Sequence, residues 1–134
     1  MKIIDGENSV LGRIASFAAK ESLKGEEIII LNCDKIIITG NKKDIEKDFK
    51  EKRGRVGTIQ KGPKHSRNIE KIVKRVIRGM LPDHRTGKGR EAFKRIRCYL
   101  GEPAEYKSAG KIKIDNGKKI KFKILKDILR WVAK

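Results

Sequence analysis

Residues 28–38 have the sequence IIILNCDKIII, in which two unbroken apolar runs flank a short polar segment. A strand with one face in solvent alternates apolar and polar residues, whereas an unbroken β-branched run indicates a strand that is buried on both faces. Such strands are typical of parallel sheets that helices cover. The segment therefore predicts an α/β protein with buried strands at residues 28–31 and 36–38.

The chain before this segment supplies another strand and a connecting helix. Residues 2–4 predict a short strand, and apolar residues at helical spacing predict a helix over residues 10–24. We expect Asn8 or Ser9 to cap this helix and Gly25 to end it. A strand, a helix and a second strand in this order predict a βαβ unit with two parallel strands.

The central part of the chain predicts two more helices and one more strand. Residues 42–53 place Ile45 and Phe49 at i and i+4, which favours a helix with one apolar side. Residues 69–80 are strongly amphipathic, with apolar residues on one face and a cationic ridge opposite. A short helix at residues 91–94 precedes a predicted fourth strand at 96–100. The ridge contains Lys71, Lys74, Arg75 and Arg78.

The C-terminal part predicts a β-hairpin and a helix. Apolar residues alternate with lysine on both sides of Asn116-Gly117, and Asn-Gly between alternating runs is a strong hairpin signal. A helix is expected over residues 126–132, which include Trp131. We therefore expect an α/β core at residues 1–106 with basic loops at 54–65 and 83–90. A lysine-rich hairpin and helix at 107–134 would be appended to this core.

The charge of the chain favours a polyanionic partner. The 134 residues include 35 Lys and Arg but 17 Asp and Glu, which gives a formal charge of +18. Residues 1–41 have a net charge of −1, residues 42–100 of +13 and residues 101–134 of +6. This excess is larger than a solvated surface needs, and nucleic acid would neutralise it.

The composition also indicates the cellular compartment of the protein. No apolar run approaches the roughly 18 residues that a membrane-spanning helix needs, and the N-terminus lacks the apolar region of a signal peptide. Cys33 and Cys98 lie in no metal-binding pattern, which favours free thiols in a reducing compartment. We therefore expect a cytoplasmic protein without membrane association.

The motifs that would carry catalysis are incomplete. Gly57 and Gly62 have the spacing of a phosphate-binding loop, but Pro63 stands where that loop needs lysine. His65 and His84 are a poor metal pair without nearby Cys or carboxylates. Asp5, Asp34 and Asp83 could each act as a lone base, although each has a simpler role in a turn. We expect no enzyme activity, no cofactor, no metal and no small-molecule substrate.

The mode of nucleic-acid binding follows from the scarcity of aromatic residues. The chain has seven, and Phe17, Phe49 and Phe122 are expected in the core, so base stacking cannot supply most of the affinity. Phosphate contacts from Lys and Arg would recognise folded RNA by shape. Two alternatives remain: an RNA-processing enzyme, and a free regulator that binds messenger RNA or DNA.

A series of motifs resembles one known family over about residues 2–106. The strings are VLGRIAS at 10–16, NCDK at 32–35, ITGNK at 38–42, GP at 62–63, VIRGMLP at 76–82, GREA at 89–92 and YLGEP at 99–103. In this order they resemble the large-subunit ribosomal protein thirteen family, in its archaeal form. Asp83 departs from the pattern, since a basic residue or histidine is more usual there.

The resemblance implies a fold and a role. The fold would be a three-layer α/β/α core with a four-stranded parallel sheet in the order 3-2-1-4. The role would be structural: binding of large-subunit ribosomal RNA in the cytoplasm, beside neighbouring ribosomal proteins, with support for subunit assembly. The resemblance carries Arg13, Lys42, Arg78 and Arg90 over as RNA-facing residues.

Basic residues of the loops and helices complete the predicted RNA-binding set. Those in the two predicted basic loops are expected to contact phosphates, because loops allow close approach to the backbone of RNA. The full set is Arg13, Lys42, Lys43, Arg53, Arg55, Lys61, Lys64, His65, Arg67, Arg78, Arg85, Lys88, Arg90 and Arg95.

Overall fold

Two apolar strands form the centre of the main sheet. The computed structural model describes residues 1–55, 65–114, 117 and 121–132, with side chains as far as Leu129. Strand β1 (Lys2–Asp5) pairs in parallel with β2 (Ile28–Leu31), and helix α1 (Leu11–Leu23) connects them. All four residues of β2 are buried, as its unbroken apolar run predicts. The predicted βαβ unit is confirmed.

The remaining elements follow in chain order. Short 3-10 turns occur at Cys33–Lys35 and Ala104–Tyr106. The other elements are β3 (Ile37–Thr39), α2 (Lys42–Gly54), α3 (Ile69–Met80), α4 (Gly87–Lys94), β4 (Ile96–Cys98), β5 (Lys111–Lys113), β6 (Phe122–Ile124) and α5 (Leu125–Val132).

The main sheet is parallel and has four strands in the order β4-β2-β1-β5. Counted along the chain within this sheet, that order is 3-2-1-4, so the fold class and the strand order are confirmed. Its membership differs from the sequence-based assignment. Strand β3 lies outside the sheet, because Ile37 and its neighbours pair with β6 instead. Strand β5 takes the place beside β1 that was expected for residues 96–100.

The C-terminal segment contains the two predicted strands and the predicted helix, but the strands have other partners than expected. Strand β5 pairs in parallel with β1, and β6 pairs antiparallel with β3, in the register Ile37↔Ile124. The Asn-Gly turn signal is local, whereas each strand here covers a sheet edge formed far away in sequence. Asn116 itself and the side chain of Trp131 lie outside the described part of the chain.

The two faces of the main sheet are covered unequally. Helices α1, α3 and α4 pack together over one face, and the buried cluster there includes Ile4, Ile30, Val73 and Ile77. On the other face Ile3, Ile29 and Leu31 contact Tyr99, Tyr106 and Ala109. The third layer is therefore made by the segment that holds the second 3-10 turn. None of the described helices is both long and apolar enough to cross a membrane.

The helix boundaries agree with the sequence for α1 and α3 and differ for α4. Helix α3 spans Ile69–Met80, so the amphipathic stretch is helical throughout. At the start of α1 neither expected cap is used: Val10 is the N-cap residue, and the Ser9 hydroxyl donates to the carbonyl oxygens of Asp5 and Glu7. Gly25 follows α1 with φ +101°, which is the expected role of a glycine after a helix.

Helix α4 begins at Gly87, so half of the predicted loop at residues 83–90 is helical. The cause is a turn at Asp83, whose carboxylate accepts hydrogen bonds from the Arg85 N–H and the Thr86 hydroxyl. The Thr86 hydroxyl bond, which is the larger influence, and the N–H bond lower the pKa of Asp83. Asp83, the residue that departs from the family pattern, thus fixes the entry into α4.

The two predicted free thiols are both present as such. Cys33 is fully buried and Cys98 is half-buried. The hydrogen bond with Cys98, together with burial, raises the pKa of the Cys33 thiol. Cys33 is therefore held in its unreactive, protonated form.

Gly89 allows α4 to pack closely on the preceding turn, and a substitution tests this packing. A Cβ atom at this position would lie 2.0 Å from the Pro82 carbonyl oxygen and 2.5 Å from that of Asp83. These are backbone atoms, so the whole turn would have to move. We expect Gly89→Ala to lower the free energy of unfolding by about 1–3 kcal/mol, the usual cost of overpacking.

The matched control for this prediction is Gly79→Ala in α3. A Cβ atom at Gly79 meets nothing within 4 Å, and alanine favours the helix by up to about 1 kcal/mol. Urea denaturation of both variants measures the difference. Equal stability of the two variants would contradict the close packing of α4 on the turn.

Candidate nucleic-acid interface

Most of the predicted RNA-binding residues lie on the surface. Lys61 and Lys64 are outside the described residues, as is most of the predicted loop at 54–65. Of the others, Arg53, His65, Arg78 and Arg95 are half-buried. The exposed members are Arg13, Lys42, Lys43, Arg55, Arg67, Arg85, Lys88 and Arg90.

Two members of the set have acidic partners on their own helices. Arg55 contacts the Glu51 carboxylate at 3.0 Å, and Arg95 contacts Glu91 at 3.5 Å. Arg95 also donates to the Ser22 carbonyl oxygen, which ties the end of α4 to α1. Exposed ion pairs of this kind contribute little to stability, so Arg55 can exchange Glu51 for a phosphate at small cost. Arg95 has a clearer structural role.

Helices α2 and α3 bring three predicted residues together. Arg53, His65 and Arg78 line one groove, and each comes from a different segment. Four further cations line the same groove and were not in the predicted set, although three of them belong to the cationic ridge of residues 69–80. They are Lys52, Lys71, Lys74 and Arg75.

The environment of the groove lowers the pKa of His65. Burial lowers the pKa of the His65 imidazole below its ordinary value of 6.5, and the charges of Arg75, Lys52 and Arg55 lower it further. The cations disfavour the protonated ring because it would add another positive charge. The Asp48 carboxylate acts in the opposite direction and raises this pKa, so charges of both signs lie close enough to His65 to influence it.

A second group of cations lies around the start of α4. The turn at Asp83 orders the backbone, and Arg85, Lys88 and Arg90 project from it as exposed side chains. The sequence suggested a flexible loop here. In the structure this segment is a short turn followed by helix α4. The close packing of Gly89 on the turn fixes the position of the helix. The three cations are therefore presented from an ordered surface.

The remaining predicted residues lie elsewhere on the protein. Lys42 lines a small surface pocket with Gly40, Asn41, Lys121 and Phe122. Lys42 and Arg53 belong to the same helix, but eleven residues separate them by about 16 Å along its axis. Arg13 is exposed on α1. The structure thus distributes the predicted set over several surfaces, with the groove as the one that combines the most elements.

Metal binding and acid–base catalysis are other kinds of chemistry that the described residues could carry. No group of three His, Cys, Asp or Glu side chains that could hold a metal ion occurs among them. The most perturbed carboxylate is Glu21, whose pKa is lowered to about 2 by hydrogen bonds from Lys2 and Lys24. A carboxylate held ionised by two lysines is a structural ion pair and a poor general base.

The influence of the groove cations on His65 can be measured by NMR. We expect the imidazole to titrate below its ordinary pKa and Arg75→Gln to raise that pKa toward the ordinary value. Added salt should act in the same direction by screening the cations. Lys107→Gln, which removes an exposed charge absent from the groove lining, is the control. A His65 titration that Arg75→Gln leaves unchanged would refute the electrostatic coupling.

Comparison with known proteins identifies the family. The model of the family described as Ribosomal protein L13 matches residues 1–105. The chain is 52% identical over 101 residues to "Large ribosomal subunit protein uL13" of Methanopyrus kandleri, covering 75% of this chain and 62% of that protein. It is 46% identical over 106 residues to the protein of the same name from Methanocaldococcus jannaschii, covering 77% of each.

A third relative extends the match toward the C-terminus. The protein of that name from Thermoplasma volcanium is 40% identical over 116 residues, which cover 87% of this chain and 84% of the relative. The resemblance seen in the motifs, including its archaeal character, is confirmed. The family is one of structural proteins, which agrees with the prediction that the chain is not an enzyme. The chain belongs to the ribosomal protein L13 family.

Proposed function

We propose that this protein is a structural constituent of the large ribosomal subunit in the cytoplasm. It binds folded ribosomal RNA mainly through phosphate contacts, lies beside other ribosomal proteins and supports assembly of the subunit. The observation that carries the proposal is the convergence of cations from α2, α3 and residue 65 on one groove, in a chain of this family. The names of the relatives supply the ribosomal context.

The physical basis of this binding is neutralisation of phosphate. RNA releases condensed counterions when Lys and Arg replace them, and this release is favourable and independent of sequence. The exposed cations around α4 and the cations of the groove belong to neighbouring elements. Their relative positions are fixed by the core, so they match the phosphates of a folded RNA rather than those of any flexible strand.

Sedimentation is the direct test of the proposed function. A lysate that contains the chain is run on a sucrose gradient at low salt and again after a high-salt wash. Stoichiometric migration with the large subunit that survives the wash is expected for an integral component. Migration at the top of the gradient would refute the proposal and favour the alternative of a free messenger-RNA regulator.

The role of the α4 surface can be tested by charge reversal. Arg85→Glu combined with Arg90→Glu should weaken binding to purified large-subunit ribosomal RNA. Because two phosphate contacts are lost, the slope of log affinity against log salt should become shallower by roughly 1.4–1.8.

The control variant combines Lys20→Glu with Lys107→Glu. Both residues are exposed, and this variant has the same net charge as the first. It should keep the slope of the unaltered chain if contacts at particular positions matter. Equal losses in both variants would show that net charge alone determines the affinity and would remove Arg85 and Arg90 from the interface.

A further inference from the structure

The groove between α2 and α3 is lined by apolar side chains as well as cations, and contacts to RNA phosphates alone do not explain the apolar ones. It encloses about 480 Å³ and is lined by α2, residues 65–66, α3, α4 and α5. A volume of this size is within the roughly 300–1,000 Å³ typical of sites that hold small ligands. Its floor is apolar and contains Phe49, Ile72, Val76, Phe93 and Leu129.

The rim of the groove is cationic on both walls. Lys52 and Arg53 come from α2, where Lys52 also pairs with Asp48 at 2.5 Å, and the ridge of α3 supplies the others. Among the described residues that line the groove there is no carboxylate. Lys74 Nζ lies 5.4 Å from the centroid of the Phe93 ring, so one cation stands over the face of an aromatic ring in the floor.

A ligand that fits this groove must therefore combine a flat or apolar part with negative charge. A stacked RNA duplex meets the charge requirement but presents no apolar surface, because its bases are inside the helix. An unstacked nucleotide meets both, since its base has an exposed π-face and its phosphates lie on either side. Aromatic side chains beside Arg and Lys are the usual partners of such bases.

We propose that this groove binds one or two unstacked nucleotides of the RNA, with a base that displaces the Lys74 ammonium from the Phe93 ring and lies against Phe93 and Phe49, and with the flanking phosphates on the rim. The inference rests on the proposed function and deepens it. It adds a local stacking contact to a surface that otherwise binds phosphates. Phe49 contacts the core and also lines the groove, so the expectation that it is a core residue covered only part of its role.

A peptide from a neighbouring protein is the competing occupant. RNA fits the charge better, because a strand brings one negative charge with every nucleotide. A peptide would need an acidic run on both sides of an apolar anchor to match cations on two walls. Exposed Arg67 lies two residues after His65, so positive charge continues beyond the lining of the groove.

The first experiment compares Phe93→Leu with Tyr106→Leu in the full-length chain. Leucine keeps an apolar side chain but removes the ring. Tyr106 packs at a tilt of 40° against Tyr99, with ring centroids 5.9 Å apart, on the opposite face of the sheet, and serves as the matched control. We expect Phe93→Leu to weaken binding to purified large-subunit ribosomal RNA by roughly fivefold or more, as loss of stacking does. Its salt slope should stay unchanged, because no phosphate contact is lost.

The second experiment uses the unaltered chain, so it does not depend on how Phe93→Leu folds. The complex with the same RNA is irradiated at short wavelength, and nucleotide adducts on its peptides are located by mass spectrometry. Adducts on Phe93 or Phe49 support the inference. Adducts confined to peptides outside the groove overturn it.

The outcomes separate the inference from the proposed function. If the unaltered chain does not bind the RNA, the proposed function fails and the inference fails with it. If that chain binds and Phe93→Leu binds equally well, the inference alone is overturned. If Phe93→Leu binds the RNA normally but is lost from large-subunit particles, a protein segment occupies the groove, and this also overturns the inference.

Discussion

The parallel pairing of β1 with β2 is the constraint on which the rest of the structure depends. Both strands are apolar and central, so the chain has to leave and re-enter the sheet through connections that cover them. Helices α1, α3 and α4 consequently collect over one face of the sheet. The inner sides of these helices pack on the core, whereas their outer sides can hold charged residues. The position of the sheet thus decides where a cationic surface can form.

Acidic residues of this chain largely serve the fold, and this leaves the helical surface positive. Glu21 holds Lys2 and Lys24 at the start of the sheet. Glu46 on α2 pairs with Lys123 on β6, with both side chains nearly buried. These ion pairs link helices to strands of the two sheets, but they neutralise little of the excess positive charge. The groove has no carboxylate among its described lining residues, although Asp48 beside it pairs with Lys52, so its lining is predominantly cationic.

The helices and strands that apolar periodicity or an unbroken apolar run indicates were predicted correctly, whereas the partners of the C-terminal strands and the start of α4 were not. The apolar periodicity of residues 69–80 predicted helix α3, and the β-branched run predicted β2. The partners of β5 and β6 depend on which sheet edges remain open, which no local turn signal contains. The start of α4 was missed because Gly87 and Gly89 resemble loop residues, although Gly89 in fact allows close packing on the turn.

The same distinction applies to the candidate interface. Surface exposure of Arg and Lys follows from the sequence, because a charged side chain without a partner is rarely buried. The sequence does not predict the groove, because Phe49, His65 and Phe93 come to line it together only when α2, α3 and α4 pack on the core. A cationic stripe on one isolated helix would bind any polyanion. A groove built from several elements exists only in the folded protein, so an interface of this kind couples RNA recognition to the fold and can discriminate by shape as well as by charge.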